Sequence, residues 1–161
     1  MKIVLERYYG DWRITKSVMT VVGEDGEELL RCEAREPRFA QYVEAFPGCS
    51  RFCLACGRWR CKVVATDMSP MTLTVVKSPG HRCCRIGWDY TAQVRANMVL
   101  VGESDGNENE EWRDIVRSRE TFERLTQLVY HAFGTDEEIW LEVGNRVELG
   151  VKEYSSCNTI D

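Results

Sequence analysis

Only one segment of this sequence repeats its apolar residues at helical spacing, and this restricts the fold more than any other feature. Between Ser118 and Gly134 the apolar side chains recur every three or four residues, with Ser118 expected as the N-cap and Gly134 as the end of the helix. The rest of the chain consists mostly of short runs rich in β-branched and aromatic residues. Such a chain is expected to form a β-sheet with one helix packed on it.

Turn sequences separate these runs and place the predicted strands. Gly10-Asp11 and the stretch from Gly23 to Gly26 predict that the first three runs form a meander. The predicted strands are 2–9, 12–22, 27–33, 58–66, 71–77, 82–88, 98–101, 139–143 and 146–154, the last two joined as a hairpin through Gly144-Asn145. The expected fold class is therefore α+β, mainly antiparallel β in a sheet, sandwich or partly open barrel, with one helix in the C-terminal half.

A single domain over 1–161 is expected, because 161 residues bury enough surface for one core. Residues 35–57 fit neither the strand nor the helix period and contain two prolines and two glycines, which predicts a long loop excursion. Residues 103–117 are dense in carboxylates, which is typical of an exposed acidic loop, with a cation site as the alternative. Residues 155–161 are predicted to be a frayed tail.

The charge balance argues against a nucleic-acid partner. Lys plus Arg number 21 against 26 Asp plus Glu, which gives a net charge of −5, whereas a nucleic-acid-binding protein needs a basic face. Charged residues interrupt the segment from Met1 to Arg7 too early for a signal peptide, and no apolar run reaches the roughly 18 residues of a membrane span. We therefore expect a soluble chain that is cytoplasmic at synthesis and has no membrane span.

Eight cysteines against two histidines raise the question of a metal site. Cys49, Cys53, Cys56 and Cys61 could supply four thiolates for zinc. Only Cys53 and Cys56 have the two-residue separation that is typical of such sites, so the favoured interpretation is that these cysteines are small buried hydrophobic residues. No cofactor is expected, and zinc is the alternative.

Two further cysteines, Cys83 and Cys84, are adjacent on a predicted strand and should point to opposite faces. His81 shares a face with Cys83, which makes Cys83, or alternatively Cys84, a candidate nucleophile with His81 as its base. A working nucleophile also needs an oriented base and an oxyanion hole, and the sequence indicates neither. The favoured interpretation is therefore a core cysteine next to an exposed turn histidine.

Several motifs together resemble a known family. They are the opening Leu5-x-Arg7-Tyr8, the strand Gly57–Val64 (GRWRCKVV), the strand Met98–Glu103 (MVLVGE) and the helix start Ser118–Leu125 (SRETFERL). These motifs are similar to those of the DUF5675 family, a small domain of unknown function that is frequent in gut bacteria and their phages. Members of that family carry a histidine and a cysteine whose layout resembles the catalytic pair of L,D-transpeptidases, which act on peptidoglycan.

In this chain Gly87 stands in the place of that histidine and Met98 in the place of that cysteine. Glycine cannot transfer a proton and a thioether is no nucleophile. The resemblance therefore implies a non-catalytic binding or structural module of a phage, prophage or gut bacterium. Its expected partner is either a protein or a fragment of the cell wall, which can be a peptide or a glycan. The resemblance places the binding cleft at Trp88, Asp89, Tyr90 and Asn97. The alternatives are a cysteine-dependent transpeptidase-like peptidoglycan enzyme with a rearranged site and a zinc-stabilised interaction module.

Overall fold

The computed structural model describes residues 1–38, 53–66, 69–76, 78 and 83–146. These residues contain nine strands and one helix. The strands are β1 (Lys2–Gly10), β2 (Ile14–Val22), β3 (Glu28–Pro37), β4 (Gly57–Thr66), β5 (Ser69–Val76), β6 (Cys83–Gly87), β7 (Met98–Ser104), β8 (Ile115–Val116) and β9 (Ile139–Asn145), and the helix is α1 (Ser118–Gly134).

Eight of these strands close into a barrel in the order β3-β2-β1-β9-β4-β5-β6-β7, because β7 pairs back onto β3. Six of the eight pairings are antiparallel, while β1 with β9 and β6 with β7 are parallel. The short strand β8 pairs with β7 outside the ring. The predicted class, mainly antiparallel β with one helix in the C-terminal half, is confirmed.

The predicted closing hairpin is wrong at its turn. Gly144 and Asn145 continue β9, where they pair with Glu6 and Arg7 of β1. The other side of β9 pairs with β4, so both edges of the strand are already occupied and a hairpin partner has no place beside it. Beyond Arg146, the predicted strand 146–154 lies outside the described residues, as does the predicted tail 155–161.

The ends of both predicted loops belong to strands in the structure. Strand β3 extends to Pro37, so the start of the predicted excursion 35–57 is part of the barrel, and its central residues 39–52 lie outside the described part of the chain. The predicted acidic loop 103–117 is limited to 105–114, because 103–104 belong to β7, 115–116 form β8 and Arg117 caps α1.

Helix α1 has the predicted range but a different N-cap. The cap is Arg117 in a left-handed conformation, with φ of 49° and ψ of 45°. Ser118 is the first helical residue, and its hydroxyl donates a hydrogen bond of 2.6 Å to the carbonyl of Val101 on β7. The serine therefore fixes the start of the helix to the barrel instead of capping it. Within the described residues, no helix has both the length and the apolar character of a membrane span.

The hydrophobic core lies inside the barrel. Alternate residues of each strand point inward, as the period of two requires, and the buried face of α1 packs against the same cluster. The core residues include Ile3 and Leu5 of β1, Met19 and Val21 of β2, Leu73 and Val75 of β5, Cys84 and Ile86 of β6, Val99 and Val101 of β7, Leu141 and Val143 of β9, and Leu125, Val129 and Ala132 of α1.

A buried ion pair lies inside the barrel toward the C-terminal end of β1, beyond the apolar core residues of that strand. The guanidinium of Arg7 donates from Nε to Glu36 Oε2 and from Nη2 to Glu36 Oε1, each over 2.8 Å. Leu54 joins this pair through its main chain, since its N–H donates to Glu36 Oε1 over 2.9 Å and its carbonyl accepts from Arg7 Nη2 over 2.6 Å. The pair therefore connects β1, β3 and the segment before β4.

The ion pair keeps Arg7 charged although the residue is only 1% exposed. Burial alone would lower the pKa of Arg7, but Glu36, Cys53 and Cys56 raise it, and the net shift of the pKa is upward. A buried charge is tolerated only where it is paired and hydrogen-bonded, and Glu36 with Leu54 meets both conditions.

A second polar network holds the acidic loop 105–114 against the outside of the barrel. Glu33 accepts hydrogen bonds from the hydroxyl of Tyr8 over 2.6 Å and from Arg35 over 2.9 Å. Arg35 and Lys16 reach the loop by donating to its main-chain carbonyls, including that of Arg113. The carbonyls of this loop are thus bound by cations, which explains how a segment rich in carboxylates remains attached.

Replacing Glu36 with Gln should destabilise the protein by about 3 to 5 kcal/mol, because Arg7 would keep a buried charge without its partner. Denaturant unfolding followed by circular dichroism measures this loss. The matched control is Glu138→Gln, which breaks the exposed pair with Arg60 and should cost less than about 1 kcal/mol. Equal losses for the two variants would contradict the central role of the buried pair.

Candidate functional site

A groove of about 410 Å³ opens on the outer surface of the barrel. It lies where β4, β5 and β6 meet the chain that enters β7. Its lining residues are Val64, Thr72, Thr74, Cys83, Arg85, Ala96 and Asn97. Two of these, Cys83 and Asn97, are residues that the sequence marks as candidates.

Strand register explains which side chains meet in the groove. Thr74 on β5 pairs with Lys62 on β4 and with Arg85 on β6, so the three side chains point to the same outer side. Thr72 pairs with Val64 one step further along the same strands. Both threonines are buried, whereas Lys62 and Arg85 are exposed, so the threonines form a floor with a cation on each side.

The two cations beside this floor differ from their neighbours. On the same outer face of β4, Arg58 and Arg60 are paired with Glu142 and Glu138. In the part of the chain that the structure describes, the side chains of Lys62 and Arg85 form no ion pair and no hydrogen bond. In this described part, a chain with a net charge of −5 thus places two cations without an ion-pair partner beside one groove.

Cys83 and Cys84 point to opposite faces of β6, as their adjacency predicts. Cys83 is exposed and lines the groove, while Cys84 is 2% exposed and belongs to the core. Burial raises the pKa of the Cys84 thiol far above its ordinary value, and Glu36 adds to this shift. Cys84 is therefore a protonated core residue, and of the two only Cys83 is open to a ligand. His81 lies outside the described residues.

Gly87 and Met98, the positions that the resemblance assigns to the catalytic pair, lie side by side. They belong to the adjacent parallel strands β6 and β7, where Met98 pairs with Arg85 and Gly87 with Leu100. A β-carbon at Gly87 would lie only 3.0 Å from Cε of Met98. The methionine methyl group therefore fills the space in which a side chain at Gly87 would lie.

The expected ligand residues Asp89 and Asn97 have different environments. The carboxylate of Asp89 accepts hydrogen bonds from the N–H and hydroxyl of Thr91 and from Arg95, and the bonds from Thr91 are the main cause of its lowered pKa. Asp89 thus shapes its own loop. Asn97 lines the groove, and its carbonyl accepts from the N–H of Arg85 over 2.9 Å.

Trp88 and Tyr90 form an aromatic pair beside the start of α1. Their ring centroids are 4.5 Å apart with the planes at 82°, an edge-to-face arrangement. The guanidinium of Arg119 lies 5.7 Å from the centre of the Trp88 ring. Neither aromatic residue lines the groove, so of the four expected ligand residues only Asn97 does.

The cysteines proposed as zinc ligands are not gathered at one point. Cys53 and Cys56 lie near Arg7, whose Nη1 donates to Cys56 Sγ over 3.6 Å. Gly57, the first residue of β4, directly follows Cys56. Cys61 lies four residues further along that strand, which corresponds to about 13 Å, and its side chain packs in the apolar core. Cys49 lies outside the described residues. Among the residues described, no group of three or more His, Cys, Asp or Glu side chains is placed to hold a metal.

Sequence reasoning missed most of the groove. Lys62, Thr72 and Thr74 were not singled out, although they occupy the positions between apolar residues in β4 and β5. This alternation marks them as outward-facing. Their meeting in one groove depends on the register between strands, which no local pattern contains.

No family model, no curated protein and no solved structure matches this chain. The resemblance to the DUF5675 family therefore stays a prediction, and the site rests on its geometry alone.

A water-soluble maleimide at pH 7.5 should label Cys83 in the native protein and leave Cys32, Cys61 and Cys84 unmodified. Cys83 is exposed, whereas burial raises the pKa of Cys32 and Cys61 to about 12, so these two remain protonated and shielded. Peptide mapping by mass spectrometry locates the label, and guanidinium provides the control in which all cysteines react. Labelling of Cys84 before Cys83 would contradict the assignment of faces on β6.

Proposed function

We propose that this chain is a non-catalytic binding module that takes its ligand in the groove on the outer surface of β4, β5 and β6. The proposed ligand is a fragment of the bacterial cell wall, peptide or glycan, in the phage, prophage or gut-bacterial setting that the resemblance implies. The alternative partner in the same setting is a protein.

The contact between Gly87 and Met98 carries the non-catalytic part of this proposal. Acyl transfer by a thiol needs a nucleophile and a base within hydrogen-bonding distance of each other. At the two positions that the resemblance assigns to this pair, a glycine has no side chain and the methyl group of Met98 lies 3.0 Å from the place of its missing β-carbon. Gly87 has no group to take a proton, and Met98 has no thiol to attack.

The groove supports the binding part of the proposal. Its volume of about 410 Å³ falls in the range of about 300 to 1,000 Å³ that is common for small-molecule sites. Thr72, Thr74, Cys83 and Arg85 lie on strands, which hold side chains more precisely than loops do. The threonine floor and the neighbouring cations give the groove polar groups that a ligand can use for orientation.

The exposure of Cys83 favours one second candidate, a cysteine-dependent peptidoglycan enzyme with a rearranged site. Its thiol lines the groove, and Arg85 follows two residues later on the same face. The described lining contains no histidine and no carboxylate that could serve as the base. Binding without chemistry is therefore the better supported function.

Incubation with purified muropeptides should show binding without turnover. Calorimetry measures binding, and chromatography with mass spectrometry detects any product.

Because Ala96 lines the groove, Ala96→Trp should fill the groove and abolish binding of the muropeptide. The matched control is Gln93→Trp, which lies on the same connection but outside the lining and should leave binding intact.

Turnover that disappears in Cys83→Ser would overturn the non-catalytic proposal in favour of the enzyme. Binding that survives Ala96→Trp would overturn the assignment of the groove.

A further inference from the structure

We infer that the groove recognises a carboxylate of a peptide ligand, which Arg85 and Lys62 hold from two sides above the hydroxyl of Thr74. This inference rests on the proposed binding function and adds the chemical class of the ligand. It selects a peptide with free carboxylates over a neutral glycan.

The spacing of the two cations suits one small anion. Neighbouring strands lie about 4.8 Å apart, so Lys62 and Arg85, each paired with Thr74, are separated by about 10 Å between their backbones. Both side chains are long enough to close this distance over the threonine. An oxygen anion placed there accepts from a guanidinium, an ammonium and a hydroxyl at the same time.

Within the described residues, no carboxylate pairs with either of these two cations. Arg58 and Arg60, on the same outer face, have glutamate partners, whereas within the described chain no ion pair forms at Lys62 or Arg85. Hydrogen bonds between charged groups are about twice as strong as those between neutral ones. A carboxylate therefore satisfies both cations, and a neutral sugar hydroxyl leaves their charges uncompensated.

The size of the positive region also limits the ligand. Glu142 on β9 pairs with Arg58 of β4, and Glu138, just before β9, pairs with Arg60 of β4. Among the described residues of β4, β5 and β6, the cations without an ion pair are Lys62 and Arg85. A nucleic acid requires several phosphate contacts in a row, which this patch does not offer. A single carboxylate has two accepting oxygens, so it can contact both cations at once.

The test compares two muropeptides that differ only in their carboxylates, one with free acids and one with every carboxylate amidated. Calorimetric titration of the intact protein should give a dissociation constant at least about tenfold higher for the amidated peptide. Arg85→Gln should weaken binding of the acid by about tenfold or more, and Lys62→Gln by a smaller factor, because arginine can bind a carboxylate through two hydrogen bonds.

Arg124→Gln is the matched control, since Arg124 is another exposed cation and lies on α1, away from the groove. It should leave both dissociation constants unchanged, and thermal unfolding confirms that each variant is folded.

If the free-acid and the amidated muropeptide bind with equal affinity, and Ala96→Trp abolishes the binding of both, the carboxylate inference is overturned. The proposed binding function is then still supported. Binding of neither peptide would overturn the proposed function, and the inference with it. A loss of affinity in Arg124→Gln as large as that in Arg85→Gln would also contradict the inference, because general electrostatic attraction would then explain the binding.

Discussion

The buried pair of Arg7 and Glu36 is the interaction on which the arrangement of the barrel depends. It joins β1 to β3 inside the barrel, and both groups also bind the main chain of Leu54. Leu54 lies three residues before β4, so the pair determines where the chain enters that strand. Because the outer face of β4 supplies Lys62 and Val64 beside the groove, a contact in the interior positions a site on the exterior.

The closed barrel explains why the candidate site lies outside. Inward residues form one core with the buried face of α1, which leaves the outward residues for interaction with other molecules. Elsewhere on that surface, Arg60 is paired with Glu138, and Arg35 is covered by the loop 105–114. At Thr72 and Thr74 the outward side chains are short, and the longer side chains around them produce a groove.

Local sequence patterns predicted the structural features that depend on residues close in sequence. They failed for features that depend on contacts with residues distant in sequence. The range of α1 and the opposite directions of Cys83 and Cys84 follow from periodicity alone. The turn at Gly144-Asn145 was predicted from turn chemistry, but two strands far away in sequence hold β9 extended. The serine at the start of α1 was predicted as a cap, but its hydroxyl binds β7. The groove joins three strands in register, which composition cannot indicate.

The central claim is that the outer groove of a non-catalytic barrel is its ligand site. It is tested most directly by NMR, with backbone amide chemical shifts followed during titration with a muropeptide. The largest shifts are expected at Thr72, Thr74, Arg85 and Asn97, with the peptide unchanged at the end of the titration. Shifts centred on the exposed face of α1 or on Trp88 and Tyr90, or a peptide that is consumed, would contradict it.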